Sequence, residues 1–184
     1  MQVLKILVVD DDPVTRSLLC KRLSKDGFQV DTAESGVEAV RKITHTYYDI
    51  ILTDLIMPGG IDGIGVLETA KENDIKTEVI LITAHGTIDN AIVAMKKGAN
   101  DYLQKPINFD ELTLRLAKIQ NLKQLMKNAS DLRMAMEITE QISGETIQNL
   151  EMTVAELEER LATMRAVLDR ADLTAEERIR MALA

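Results

Sequence analysis

Five short apolar runs, rich in branched residues and separated by segments of helical spacing, constrain the fold of this chain more than any other feature. They are Val3 to Val9, Phe28 to Thr32, Ile50 to Thr53, Val79 to Ile82 and a shorter Tyr102-Leu103. Each reads as a buried strand. Between them lie Val14-Leu18-Leu19-Leu23, Val37-Val40-Ile43, Ile64-Leu67-Ala70, Ile88-Ile92-Met95 and Phe109-Leu112-Leu116, which repeat at helical intervals. Strict alternation of strand and helix predicts an α/β fold, a doubly wound five-stranded parallel sheet with helices on both faces. Local start signals agree. Asp12-Pro13 supplies an N-cap and a proline at the first helical position, and Ser35 with Glu38 makes a capping box. Asn108 with Glu111 offers another start. Gly27, Gly36 and Gly98 fall near element ends, where positive φ is often required. This domain is expected over residues 1–120.

From Asn121 to Ala184 the composition shifts, with no proline, no aromatic residue and Gly144 as the one glycine. A helical tail is expected over residues 121–184. Ile147, Leu150, Val154, Leu157, Leu161, Met164 and Leu168 alternate spacings of three and four, the seam rhythm of a coiled coil. An earlier frame runs Leu122, Leu125, Ala129, Leu132, Met136. The eleven-residue step from Met136 to Ile147 is a heptad plus four, so the frames join through a stutter or through a turn near Ser143-Gly144. Both remain open at this level. Thr174 and Glu177 predict a last, short helix. The tail methionines read as seam fillers. A homodimer through the tail, or docking of a partner, is the expected use of such a seam.

With 46% hydrophobic residues in 184, the chain can bury a core. A net charge of -8 argues against broad contact with nucleic acid or an anionic membrane. The first residues lack signal-peptide tiers, and no apolar stretch has the length of a membrane span. A single cysteine, Cys20, excludes an internal disulfide and reads as core packing. A cytoplasmic location is the expectation.

The chemistry lies where strands end. Asp10-Asp11-Asp12 follows the first apolar run, Asp54 ends the third, Thr83 follows the fourth and Lys105-Pro106 follows the fifth. In a parallel sheet the carboxyl ends of strands converge on one crevice. Three adjacent aspartates repel one another unless a cation or solvent compensates, and Mg²⁺ prefers such oxygen ligands. Asp12 before Pro13 serves the helix cap, which leaves Asp10 and Asp11 for a metal. Asp54 is placed to act as a nucleophile at phosphorus, giving an acyl phosphate that water can reverse. Thr83 offers a hydroxyl to a phosphoryl oxygen, and Lys105 an ammonium to Asp54 and then to the phosphoryl group. Asp10, Asp11 and Asp54 against Lys105 and one Mg²⁺ sum to formal neutrality.

Val8-Val9-Asp10-Asp11-Asp12, Thr53-Asp54-Leu55-Ile56-Met57-Pro58, Thr83-Ala84-His85-Gly86 and Gly98-Ala99-Asn100-Asp101-Tyr102-Leu103-Gln104-Lys105-Pro106 together resemble the receiver domain of two-component response regulators, over about residues 3–120. The nitrogen-regulator class is the variant most resembled. The resemblance implies a flavodoxin-like sheet and phosphotransfer to Asp54 from a sensor histidine kinase or phosphotransfer protein. It implies Mg²⁺ on Asp10, Asp11, Asp54 and the main-chain carbonyl of Ile56, a cis bond between Lys105 and Pro106, and a switch pair of Thr83 and Tyr102. Such a chain is not an enzyme beyond its own phosphotransfer and autodephosphorylation. One departure is a loop one residue longer between Pro58 and Asp62-Gly63, through Gly59-Gly60-Ile61.

Two other readings compete. The chain is the front of a longer transcriptional regulator, or it is a phosphohydrolase of the haloacid dehalogenase type, whose Asp-x-Asp spacing Asp10-Asp11-Asp12 contains. No basic recognition helix or glycine-rich nucleotide motif is visible, so direct DNA binding is not expected. His85 reads as a solvent neighbour of the site, and His45 with Tyr47-Tyr48 as surface and strand entry.

Overall fold

The computed structural model describes residues 3–84, 88–169 and 174–182. Its five strands are β1 (Lys5–Val9), β2 (Gln29–Ala33), β3 (Ile50–Asp54), β4 (Glu78–Thr83) and β5 (Asp101–Gln104). They form one parallel sheet in the order β2-β1-β3-β4-β5. The helices are α1 (Pro13–Lys25), α2 (Gly36–His45), α3 (Gly63–Asn73), α4 (Ile88–Lys96), α5 (Phe109–Leu168) and α6 (Ala175–Ala182).

Continuous apolar strands result from a sheet covered twice. Leu7, Val9, Ile51, Val79 and Leu81 point to a core shared with Ala39 and Ile43 of α2, Val66, Leu67 and Ala70 of α3, and Ala94 of α4. Their strand neighbours Ile6, Val8, Ile50, Leu52, Ile80 and Ile82 point the other way, onto Leu19 and Leu23 of α1 and Leu112, Leu116 and Ile119 of α5. A period of two therefore serves two apolar faces, and no polar alternation survives in the central strands.

Caps fix the helix starts near the crevice. Asp12 accepts from the N–H groups of Val14 and Thr15, and Asp62, not Asp54, caps α3 by accepting from Gly65 N–H. Ser35 accepts from Glu38 N–H at 3.3 Å, but the Glu38 carboxylate reaches back to the N–H of Glu34 at 2.9 Å and not to its cap residue. The Thr174 and Glu177 box closes in both directions. The lengthened loop after Asp54 turns through Gly59 and Gly60, both left-handed at φ 101° and 98°. Gly36 is not left-handed, contrary to expectation. Its requirement is space, because a Cβ there would meet the Ile61 carbonyl oxygen at 2.1 Å.

Two other expectations are corrected, and a third is not tested. Tyr48 is buried, with its hydroxyl donating to Asp31 at 2.9 Å, and is not a surface residue. Cys20 is only half-buried. His85 lies outside the described residues.

Residues 1–123 and 124–184 form two compact units. Helix α5 passes through Ser143-Gly144 without a break, so the two apolar frames join by a stutter and not by a turn. Its 60 residues span roughly 90 Å at about 1.5 Å per residue. In the second unit Leu125, Leu132, Met136, Ile147, Leu150, Val154, Leu157 and Leu161 are all more than half exposed. Among the described residues no helix is long and apolar enough to cross a membrane.

Candidate functional site

Strands β1 and β3 are neighbours whose loops leave toward opposite flanks of the sheet, which opens a crevice at their carboxyl ends. Asp10 follows β1 and is 1% exposed, and Asp54 ends β3 and is 7% exposed. Asp11, one residue on, is exposed. Carboxylate oxygens of Asp10, Asp11 and Asp54 all lie within 4.8 Å of one another.

Lys105 sets a cation directly against the carboxylates of Asp10 and Asp54. Lys105 Nζ lies 2.6 Å from Asp54 Oδ2 and 2.8 Å from Asp10 Oδ2. It hydrogen-bonds the Asp54 oxygen. Toward Asp10 it makes an ion pair only, so the buried Oδ2 of Asp10 has no hydrogen-bond donor aligned on it among the described residues. The Lys105–Pro106 peptide bond is cis, and Lys105 N–H donates to the Thr83 carbonyl at 2.8 Å, which joins the end of β4 to this turn.

Electrostatics follow from burial. Desolvation pushes the Asp10 carboxyl above its ordinary value of 3.8, and the nearby Asp54 charge adds to this, against the opposing pull of Lys105 and the Asp12 N–H. Burial alone would lower the Lys105 ammonium, but its hydrogen bonds and charge contacts with Asp10 and Asp54 outweigh that and raise it. Three carboxylates beside one lysine leave a local negative excess. Donor type, spacing and charge deficit fit a hard divalent cation such as Mg²⁺.

Backbone bonds hold the acidic loops. Ile56 N–H donates to Asp54 Oδ1 at 3.2 Å, fixing the loop whose carbonyl is the further ligand candidate. Arg16, unnoticed in the sequence, donates from Nη1 to the carbonyls of Asp10 at 2.6 Å and Asp11 at 3.4 Å. A cation one turn into the helix after an acidic loop was the available signal. Asp12 stays with its cap, and hydrogen bonds from Thr15 and Val14 lower its carboxyl.

Thr83 is buried at the end of β4, in register with Gln104 of β5. Tyr102 of β5 is half-buried with a buried hydroxyl that has no partner among the described residues. Burial, and secondarily the Asp54 charge, raise that phenol.

Residues 6–117 match the family model of the response regulator receiver domain. An NtrX-like response regulator of Rickettsia felis is 33% identical over 146 residues, covering 78% of this chain and 31% of that protein. The transcriptional regulatory protein TcrA of Mycobacterium tuberculosis is 39% identical over 112 residues, 61% of this chain and 44% of that protein. The chain spans between 31% and 49% of the length of the curated relatives it matches. Among solved structures, a response regulator receiver domain protein from Clostridium thermocellum has 36% identity and a TM-score of 0.63, covering 67% of this chain and 99% of that one. NtrX from Brucella abortus gives 30% identity and a TM-score of 0.65, covering 71% of this chain and 30% of that one. With a family match over most of the sheet-bearing unit and the strand order described above, the chain belongs to the response regulator receiver family of two-component systems.

Proposed function

We propose that Asp54 is the phosphoryl acceptor of a Mg²⁺-dependent switch whose state is passed to the helical tail. The observation that carries this reading is the juxtaposition of Asp54 with Lys105 at 2.6 Å inside a cluster of three carboxylates. A carboxylate oxygen of Asp54 attacks phosphorus, the bond from phosphorus to the donor breaks, and the donor keeps the electron pair. For a histidine kinase or phosphotransfer protein, that leaving atom is an imidazole nitrogen. Lys105 neutralises Asp54 beforehand and pairs with a phosphoryl oxygen afterward. The buried Thr83 hydroxyl serves as a second donor to the phosphoryl group. Asp10, Asp11, Asp54 and the Ile56 carbonyl would hold Mg²⁺, which would supply charge neutralisation for the transferring group. The hydroxyl of Tyr102, which has no partner among the described residues and feels the Asp54 charge, suits a side chain that changes position with Thr83 when the site is modified.

The apolar seam of α5 is the output in this reading, pairing with a second copy of the chain. A second reading, the front part of a longer regulator, is favoured by the small share of each relative's length that this chain covers. Both use the same acceptor. The test is intact mass after incubation with Mg²⁺ and a small acyl phosphate, with beryllofluoride as a stable mimic. One labile adduct is expected, and Asp54→Asn removes it. Uptake by that variant would place the acceptor elsewhere, and turnover of free phosphate ester would favour a hydrolase.

A further inference from the structure

Apolar anchoring of α5 on the sheet ends early. Leu112, Leu116 and Ile119 are buried, whereas Leu122 and Leu125 are exposed. One turn beyond Ile119, Lys123 adds a polar anchor, at the last residue of the first compact unit. Its Nζ donates to the Tyr47 hydroxyl at 3.2 Å and to the Lys76 carbonyl at 3.0 Å, and pairs with Asp49 Oδ1 at 3.4 Å. The same ammonium lies 5.8 Å from the centre of the Tyr47 ring.

Asp49 is an unyielding partner. It is buried, its Oδ2 accepts from Lys5 N–H at 2.9 Å, and its Oδ1 accepts from the Tyr47 hydroxyl at 3.3 Å. Its backbone N–H donates to the Lys5 carbonyl at 2.8 Å, and its carbonyl accepts from Glu78 N–H at 3.0 Å. It therefore stitches together the entry ends of β1, β3 and β4. The opposite ends of β3 and β4 carry Asp54 and Thr83. Burial raises the Tyr47 phenol, with Lys123 opposing, so the hydroxyl stays protonated as a donor to Asp49.

The Lys123 side chain, 17% exposed, gives up part of its hydration and its freedom, and aligned partners offset that loss. A plain apolar contact would hold a helix end with less directional demand. The ammonium fixes the helix exit in one place by meeting two chain segments at once, residues 47–49 and the loop at Lys76.

We infer that Lys123, Asp49 and Tyr47 form a latch that clamps the exit of α5 to the strand-entry edge of the sheet and couples the receiver to the tail. Its coupling role rests on the functional reading above. The clamp holds residues 119–123 of α5 against the sheet, so that a change of the sheet-bearing unit reaches the helix exit and is not absorbed by fraying there.

The test uses the full chain and three forms: wild type, Lys123→Met, which keeps the stem but not the charge, and Lys123→Arg. Hydrogen exchange of peptides covering 118–128 should be about tenfold faster in the Met variant, the scale of one lost charge-assisted hydrogen bond. Peptides from β1 and β3 should be unchanged, and the Arg variant should restore protection. Beryllofluoride should bind all three forms equally with Mg²⁺, while its effect on self-association should shrink severalfold in the Met variant alone. Unchanged exchange at 118–128, or an undiminished association response in the Met variant, overturns the latch. A wild-type chain that takes up beryllofluoride without any change in association sinks the output reading instead, and the latch then stands or falls on the exchange result.

Discussion

At Asp10 the demands of folding and of chemistry pull apart. Its raised carboxyl means that the ionised form is held at a net cost despite Lys105. The native state therefore binds its proton more tightly than the unfolded chain, and the cost of ionisation grows as pH rises above the ordinary 3.8. Asp10→Asn should stabilise the metal-free protein by about 1 kcal/mol at neutral pH, the usual gain from relaxing a functional site. That gain should vanish well below pH 4, where both forms are neutral, and Mg²⁺ should no longer protect the variant against denaturant. Urea melts at pH 7 and pH 3, with and without Mg²⁺, measure all three outcomes. Gly63 makes a different demand. A Cβ there would lie 2.2 Å from the Asp54 carbonyl oxygen and 2.8 Å from Leu55 Cα. Gly63→Ala must move the backbone that carries Asp54, so a loss of about 1–3 kcal/mol is expected, the scale of overpacking. Beryllofluoride affinity should fall with it, and a variant with wild-type melting and affinity would show that the contact relaxes freely.

Among the elements, the strands were legible because both of their faces are apolar, so Val3 to Val9 and Ile50 to Thr53 needed no partner to be read. Asp10, Asp54 and Lys105 were placed together by topology, since a parallel sheet gathers strand ends that are far apart in sequence. Long-range polar contacts were not legible. Nothing local tells that Lys123 meets Tyr47, 76 residues away, or that Tyr48 is buried against Asp31. Arg16 was missed because its partners are backbone carbonyls, which carry no residue signature. Ser143-Gly144 was ambiguous for a further reason. Glycine permits a turn, yet inside a helix it costs only about 1 kcal/mol relative to alanine, and the surrounding helix formers outweigh that. The continuous helix settles the case and makes a prediction, because an added Cβ at Gly144 meets nothing within 4 Å. Gly144→Ala should raise tail stability by about 1 kcal/mol in thermal melts followed by circular dichroism. A turn at this position would reverse the sign.

For the molecule as a whole, the question is what covers the seam of α5. A 60-residue helix with its apolar stripe in water has a reason to associate, since helices in proteins draw most of their stability from packing that stripe. The second frame puts Ile147, Val154 and Leu161 at one seam position and Leu150, Leu157 and Met164 at the other. Ile147 and Val154 at the first, with Leu150 and Leu157 at the second, favour two parallel strands. The stutter weakens the middle, where Thr139, Glu140, Ser143 and Gly144 take the seam spacings between Met136 and Ile147 and the apolar Ile138 and Ile142 fall off that seam. Burying a leucine side chain is worth about 1.5–3 kcal/mol, and a two-fold pair counts each seam residue twice. Leu157→Glu therefore replaces two buried leucines with two facing carboxylates, and should weaken self-association at least a hundredfold, about 2.7 kcal/mol or more. The cluster of Asp10, Asp11 and Asp54 lies in the other compact unit, so beryllofluoride uptake by the variant should match wild type. Sedimentation equilibrium of both proteins gives the answer directly. A wild-type dimer dissociated by Leu157→Glu would assign the stripe to a second copy of the chain, and a wild-type monomer at high concentration would assign it to a different partner.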